Sequence, residues 1–564
     1  MGPDAPSAAP SATPSAAHLA AAVGGDGRST PDADLAATLT EHDLHHCGRR
    51  IITRRFVTIG GGLGSLAMAH VLRIAGVTDD DLAVVGPLAS PAETYEYLAT
   101  NSQIPRRERL RSDSGSTIDA VWGWPGYALR EAVADASAGP VLRVLGEPLF
   151  GEFFTPRAGQ VYRSVDRESA RLGWDRLLIR GWVTAIRRNA TGGYWVVVDG
   201  PDRARLAIRA EHVHIAIGYP GVALLGDLRE FRQRHPDLGY RVVNAYEPHD
   251  YVYEQLRRRP STVLVRGSGI VASRVLQRLL DDVEHHGART EVVHLFRNYV
   301  DGPQGTTGRF RRPGGGGFAY QAFNYPKSSW GGQLRSELER LDGAERAELI
   351  DRMGGTNTAP RRSWRRQLRR HGRSGTYRQL HGTVNSVQPA GDPLAHPLTG
   401  LATDRSDAVR TVIRTTADPS EHMLLDADYV IDATGLQADP ARHPLFADLI
   451  ARSGARRNPK GRLAVEPSFE LTGTRSGDGR LYASGAMTLG GGYAGVDSFL
   501  GLQYAALRIA DDLAATGALP RIGPIRSTVG WVRWATNRRH RAPRATSGAA
   551  TNQVVDHQAV GSTA

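Results

Sequence analysis

Two glycine clusters stand where the chain could grip a diphosphate. Gly60-Gly61-Gly62-Leu63-Gly64-Ser65 follows the apolar run Phe56-Val57-Thr58-Ile59, and Gly267-Ser268-Gly269-Ile270-Val271-Ala272 follows Thr262-Val263-Leu264-Val265. A tight turn between a strand and a helix lets backbone N–H groups and the helix N-terminus face a diphosphate, and side chains at the glycine positions would block that approach. Gly60, Gly62 and Ser65 occupy the Gly-x-Gly-x-x-Gly positions, with Ser65 in place of the third glycine and Gly64 adding slack. Gly267, Gly269 and Ala272 fill the Gly-x-Gly-x-x-Ala version. One such cluster is weak, because glycine turns also serve packing; two in a strand-to-helix context point to a chain that binds two dinucleotides.

The strand after each cluster bears on which ribose is held: an acidic residue at its end accepts from a 2′-hydroxyl, and an arginine accommodates a 2′-phosphate. The second unit ends His294-Leu295-Phe296-Arg297, which favours NADPH over NADH. The first ends Val85-Gly86-Pro87 with no carboxylate, and Glu93 in the following loop is the acidic candidate within reach. Other chemistry is sparse. His45-His46 and His285-His286 are adjacent pairs that diverge on a helix and lack metal-ligand spacing, so no metal is expected. Cys47 is the single cysteine, which excludes an intramolecular disulfide and a Cys-x-x-Cys redox pair, and with them the dithiol-disulfide flavin reductases. No acid–base triad stands out, and no catalytic residue is assigned.

The elements that must position these clusters occur twice in the same order. In the first copy the glycine turn leads into a helix pattern to Ala75 with Gly76 placed to cap it, then the strand Leu82–Val85. Strand-like Trp182–Arg187, Tyr194–Val198 and Val213–Ile217 follow. In the second copy a helix pattern runs to about His285, then come Glu291–Phe296, Thr383–Val387, Val409–Thr415 and Tyr429–Ala433, ending in Thr434-Gly435. Arg480–Ser484 reads as a returning strand into Gly485, with a helix from about Ser498 to Leu513. The expected class is α/β, with two Rossmann-like dinucleotide-binding domains, the second inserted into the first. Residues 1–48 and 538–564, rich in small and polar residues, read as disordered tails. The first domain is expected over 49–225 and 420–537, and the second over 226–419.

Composition narrows the partners. The 564 residues carry a formal charge of +12, almost wholly arginine, since Lys327 and Lys460 are the only lysines. The densest basic run, Arg361 to Arg373, has partly helical spacing and no regular aromatic interleaving, so it reads as a solvated helix face rather than a nucleic-acid site. No apolar stretch reaches the roughly 18–20 residues that span a bilayer. Arg54-Arg55 superficially resembles a twin-arginine export signal but leads straight into a strand. A cytoplasmic protein with a small-molecule substrate is expected, without membrane or nucleic-acid partners; homo-oligomer formation stays open.

This order of motifs resembles the class B flavin monooxygenases with two dinucleotide-binding domains. The resemblance covers about residues 55–513 and implies FAD on Gly60, Gly62 and Gly64, NADPH on Gly267, Gly269 and Arg297, and Ala433-Thr434-Gly435 as the link between domains. Phe318-Ala319-Tyr320-Gln321-Ala322-Phe323-Asn324-Tyr325-Pro326, Thr356-Asn357 and Tyr377-Arg378-Gln379 are similar to elements of the microbial N-hydroxylating monooxygenases of ornithine and lysine. Asn324 and Asn357 are the polar residues expected near nicotinamide or substrate, and Gly314 to Gly317 reads equally as a mobile loop over the site or as a simple linker. Tyr320 and Gln321 replace the family's Asn and Glu, and Ala486 replaces a flavin-contacting aspartate. A divergent member is implied, using a flavin C4a-hydroperoxide and O2 to oxygenate a small nucleophile such as an amine or amino acid nitrogen. The alternatives are an NADPH-dependent flavin reductase or dehydrogenase passing electrons to a quinone or protein, and a nucleotide-binding regulator with vestigial catalysis.

Overall fold

The computed structural model describes residues 35–110, 117–122, 126–150, 154–201, 204–297, 333–353, 362–391, 407–416, 420 and 422–539. The chain starts with β1 (Thr38–Leu39), a short helix α1 (Glu41–His46) and the long strand β2 (Arg50–Ile59). The first glycine turn leads into α2 (Leu63–Ala75) and back into β3 (Leu82–Gly86). Gly76 closes α2 in the left-handed region at φ +99, its N–H bonded to the carbonyls of Arg73 and Leu72, as the sequence predicts. Helix α3 (Ala158–Leu172) precedes β4 (Leu178–Arg180), β5 (Trp182–Asn189), β6 (Tyr194–Asp199) and β7 (Arg205–Ile215).

The second body repeats the plan. β8 (Val242–Asn244) and β9 (Ser261–Arg266) enter the second glycine turn, α4 (Ile270–His286) and β10 (Thr290–Phe296). Helices α5 (Gly343–Met353) and α6 (Arg362–Arg373) precede β11 (Tyr377–Pro389), β12 (Val409–Thr415), β13 (His422–Ala427) and β14 (Tyr429–Asp432). The chain then returns through β15 (Arg480–Ala483), α7 (Phe499–Ala515) and α8 (Pro524–Ala535).

Among the described residues, one sheet runs β1-β5-β6-β7-β2-β3-β4, with β15 also paired to β7, and the other runs β13-β12-β11-β10-β9-β14-β8. Each has a parallel core around the strand that feeds a glycine turn, extended by an antiparallel ribbon, β5-β6-β7 or β11-β12-β13. Alternation along the buried strands sorts side chains to two faces. Phe56, Leu82 and Val84 pack under α2, α3 and α7, whereas Val57, Ile59, Ala83 and Val85 meet Phe446 and Leu449 on the other side. In the second sheet Val263, Val265 and Val292 face α4 and the Trp364 and Leu368 side of α6. Arg366, Arg369, Arg370 and Arg373 of α6 are exposed, so these arginines form a solvated face of the helix. No helix among the described residues is long and apolar enough to cross a membrane.

Two boundaries differ from those expected. Residues 35–48, assigned by composition to the tail, are ordered: β1 pairs with β5, a Thr40–Asp43 capping box starts α1, and Leu35, Leu39 and Leu44 pack on Trp195 and Val197. Three leucines too sparse to register as periodic suffice to cover the back of the ribbon. The return to the first body falls after Asp432 rather than at residue 420, because β13 and β14 are hydrogen-bonded within the second sheet. The two connecting segments pair with each other, through a Val222–Leu436 antiparallel bridge and Gln437 N–H donating to the Gly221 carbonyl at 2.9 Å.

Candidate functional site

Both glycine turns open on one cavity of about 1240 Å³. A single small-ligand pocket takes roughly 300–1,000 Å³, so this one has room for more than one molecule. At the first turn Gly60 has φ +123, and a Cβ there would lie 2.4 Å from the Ala216 carbonyl oxygen. The turn is thus pressed against the segment leaving β7, and only glycine fits. Gly64, the second residue of α2, would strike the Ala216 Cβ at 2.8 Å and serves that same close packing. Gly62 is different. It begins α2 without a side-chain cap, and a Cβ on it meets nothing within 4 Å, so any side chain would stand in the cavity itself. The unpaired N–H groups of the first helical turn are thereby left to face an anion.

The second turn repeats this construction. Gly267 has φ +127, with a Cβ 2.5 Å from the Ala433 carbonyl oxygen, and Gly269 begins α4 without a side-chain cap. Arg297, at the end of β10, is exposed and lines the cavity.

Beneath each turn lies a buried histidine. His214 contacts Thr58 Oγ1 through Nδ1 and Ser484 Oγ through Nε2, both at 2.8 Å, so it ties β2 and β7 to the loop after β15. His294 Nε2–H donates to the Gly267 carbonyl at 2.6 Å, while Nδ1 accepts from the Tyr377 hydroxyl, which in turn accepts from Gln379. Burial pushes His214 down to about 3 and His294 to about 4, so both rings are neutral. Tyr377 and Gln379 therefore steady the second turn through His294.

A carboxylate joins the two bodies. Asp432 is fully buried at the end of β14; it accepts from Leu225 N–H at 2.8 Å and from the Thr434 N–H and hydroxyl at 3.0 and 2.6 Å. Burial raises its pKa against these three bonds, which favour the charged form. Both connecting segments thus end on one side chain.

Of the residues singled out in the sequence, Gly60, Gly62, Gly64, Gly267, Gly269, Arg297, Thr434, Gly435 and Gly485 line the cavity. Ser65 does not. It is fully buried on the inner face of α2, accepting from Thr58 and donating to the Ile59 carbonyl, so it belongs to the packing beneath the turn. Glu93 does not reach the cavity either; its carboxylate accepts from Ser90 N–H at 2.7 Å and caps its own turn. The missing carboxylate after β3 has a steric reason, since a Cβ on Gly86 would lie 2.8 Å from the Gly61 Cα. Asn324, Asn357 and Gly314 to Gly317 lie outside the described residues. Sequence reasoning missed Asp432, His214 and His294, although a polar residue inside an apolar strand beside each turn was the available signal.

No protein-family profile and no curated protein matches the sequence. Solved structures do. An ornithine hydroxylase from Pseudomonas aeruginosa is 13% identical, with a TM-score of 0.55 over 82% of this chain and 100% of that one. An ornithine N-hydroxylase from Kutzneria is 15% identical, with a TM-score of 0.57 over 83% and 100%. A cadaverine monooxygenase of the desferrioxamine pathway from Erwinia amylovora is 14% identical, with a TM-score of 0.57 over 90% and 100%. This chain has the fold of the N-hydroxylating monooxygenases. At such low identity the likeness extends to architecture, and the chemistry has to come from the cavity.

Proposed function

We propose that the chain is an FAD- and NADPH-dependent monooxygenase that oxygenates a nitrogen of a small amine or amino acid. The observation that carries this is the pair of glycine turns facing one cavity, each requiring glycine by close backbone approach and each ending in an uncapped helix N-terminus. The solved structures of the same architecture support it: one is described with reduced FAD, NADP+ and L-ornithine, and another with FAD. Gly60, Gly61, Gly62 and the start of α2 would hold the FAD diphosphate, and Gly267, Gly269 and the start of α4 that of NADPH. Arg297 would pair with the 2′-phosphate. Bound together, the two cofactors would supply two electrons to O2, one oxygen atom passing to substrate and the other leaving as water.

The chain's own part is placement and exclusion. His214 and His294 stay neutral beneath the turns and fix their backbones without adding charge next to a diphosphate. Leu63, Leu489, Phe499 and Leu502 give the cavity an apolar lining that keeps bulk water from the reacting atoms. The test is a visible spectrum of the purified protein and NADPH consumption with and without O2. A yellow protein whose consumption needs O2, rises with an amine and releases little peroxide is expected. Consumption that proceeds only with an artificial electron acceptor would instead identify a reductase.

A further inference from the structure

One end of the cavity is acidic and aromatic. Asp497, next to the N-cap Ser498 of α7, is exposed to the cavity, and Tyr95, Tyr219 and Tyr246 also line it. The Tyr219 hydroxyl donates to Asp497 Oδ2 at 3.0 Å. The Asp497 charge, then burial, holds the Tyr219 phenol well above its ordinary value. Burial and then Asp497 push Tyr246 up to about 12, and burial, Tyr162, Tyr246 and Asp497 in that order raise Tyr95. The three phenols are neutral rings gathered near one carboxylate. Among the described residues the Tyr219 hydroxyl is the direct partner of Asp497; Arg462 is near enough to feel its charge but forms no ion pair with it.

A carboxylate among aromatic rings suits an alkylammonium, through charge pairing and cation–π attraction. It also favours the protonated form, which has no lone pair to give. The nitrogen held here is therefore not the nitrogen that takes oxygen. An amino acid would need a cation for its carboxylate, and among the described arginines and lysines only Arg266 and Arg297 line the cavity. Both stand at the second glycine turn, and Arg266 is already paired with Asp227 at 2.6 Å.

We infer that Asp497, with Tyr95, Tyr219 and Tyr246, seats the distal ammonium of a diamine or longer polyamine. The assignment rests on the amine-oxygenating reading above. Its test is titration of the flavin-loaded protein with cadaverine, pentylamine and L-lysine, followed by flavin absorbance or calorimetry. Cadaverine should bind at least about ten-fold tighter than L-lysine, the scale of a charge-assisted hydrogen bond, and pentylamine, which has no second nitrogen, should bind but yield no hydroxylated product. Asp497→Asn should erase that advantage through KM rather than kcat, weaken pentylamine along with cadaverine because each docks an ammonium here, and leave flavin content and anaerobic flavin reduction by NADPH unchanged. Tyr219→Phe should show a smaller loss of the same preference. Unchanged cadaverine binding in Asp497→Asn, loss of flavin from that variant, or a wild-type preference for L-lysine would each overturn the seat alone. A protein that takes up no flavin overturns the seat together with the reading beneath it.

Discussion

The two glycine turns share a backbone plan but differ in what surrounds them. All 13 residues of α2 are buried, whereas α4 keeps part of its surface in solvent, with His285 and His286 exposed at its end. The strand after the first turn ends on Gly86, where no side chain fits; the strand after the second ends on the exposed Arg297. His214 binds the first turn to the returning loop at Ser484, and His294 binds the second through Tyr377 and Gln379 within its own sheet. A turn whose helix is buried along its whole length suits a ligand that stays, and a turn with a charged, accessible rim suits one that exchanges. That contrast supports the proposed placement of FAD at the first turn and NADPH at the second.

The largest effect should come from Gly60→Ala. Left-handed strain and a Cβ 2.4 Å from a carbonyl oxygen together should cost about 2–5 kcal/mol, read as a drop in urea midpoint with loss of bound flavin. Gly267→Ala should abolish nicotinamide nucleotide binding while flavin stays bound. If Gly267→Ala also sheds the flavin, the two turns are not independent and the contrast fails.

Acid comes next. With His214 held near 3 and His294 near 4, against an ordinary 6.5, the unfolded chain takes up protons that the folded chain refuses. Stability is complete above pH 6.5 and falls as pH drops toward those values, by ~1.4 kcal/mol per pH unit for each ring. His214→Gln and His294→Gln should each flatten the slope of urea stability between pH 6.5 and 4.5 by one ring's share. Unchanged slopes would mean that the rings are not held neutral.

Arg297→Ala should weaken NADPH by about 1–3 kcal/mol and leave NADH nearly untouched. Equal loss for both nucleotides would defeat the assignment of its 2′-phosphate role. The smallest effect on the fold belongs to Gly62→Ala, within about 0.5 kcal/mol, because φ is −97 and no neighbour is near. Its flavin affinity should nonetheless fall, measured by fluorescence on reconstitution, which separates the residue that shapes the turn from the one that clears the cavity.

Much of the fold was legible because its signals are local. Strand alternation, the Gly76 cap and the repeated strand-turn-helix order depend on neighbours within one or two turns of chain. What the sequence hid depends on contacts made across the chain. Ser65 matched a phosphate motif by position, yet the face of α2 that it occupies is decided by Thr58 beneath it. Glu93 had the right chemistry for a ribose but closed its own turn. Asp432 sat in an apolar run beside Ala-Thr-Gly, and its role emerges only with Leu225, 207 residues away. The tyrosines around Asp497 come from three separate segments, which no spacing rule connects.

That carboxylate of Asp432 has a mechanical corollary. Because the outgoing and incoming peptides are bridged to each other and both hydrogen-bonded to the Asp432 side chain, they are held together rather than free as two separate tethers. The two crossings between the sheets are therefore coupled, and a change at Asp432 would be felt in both connecting segments at once.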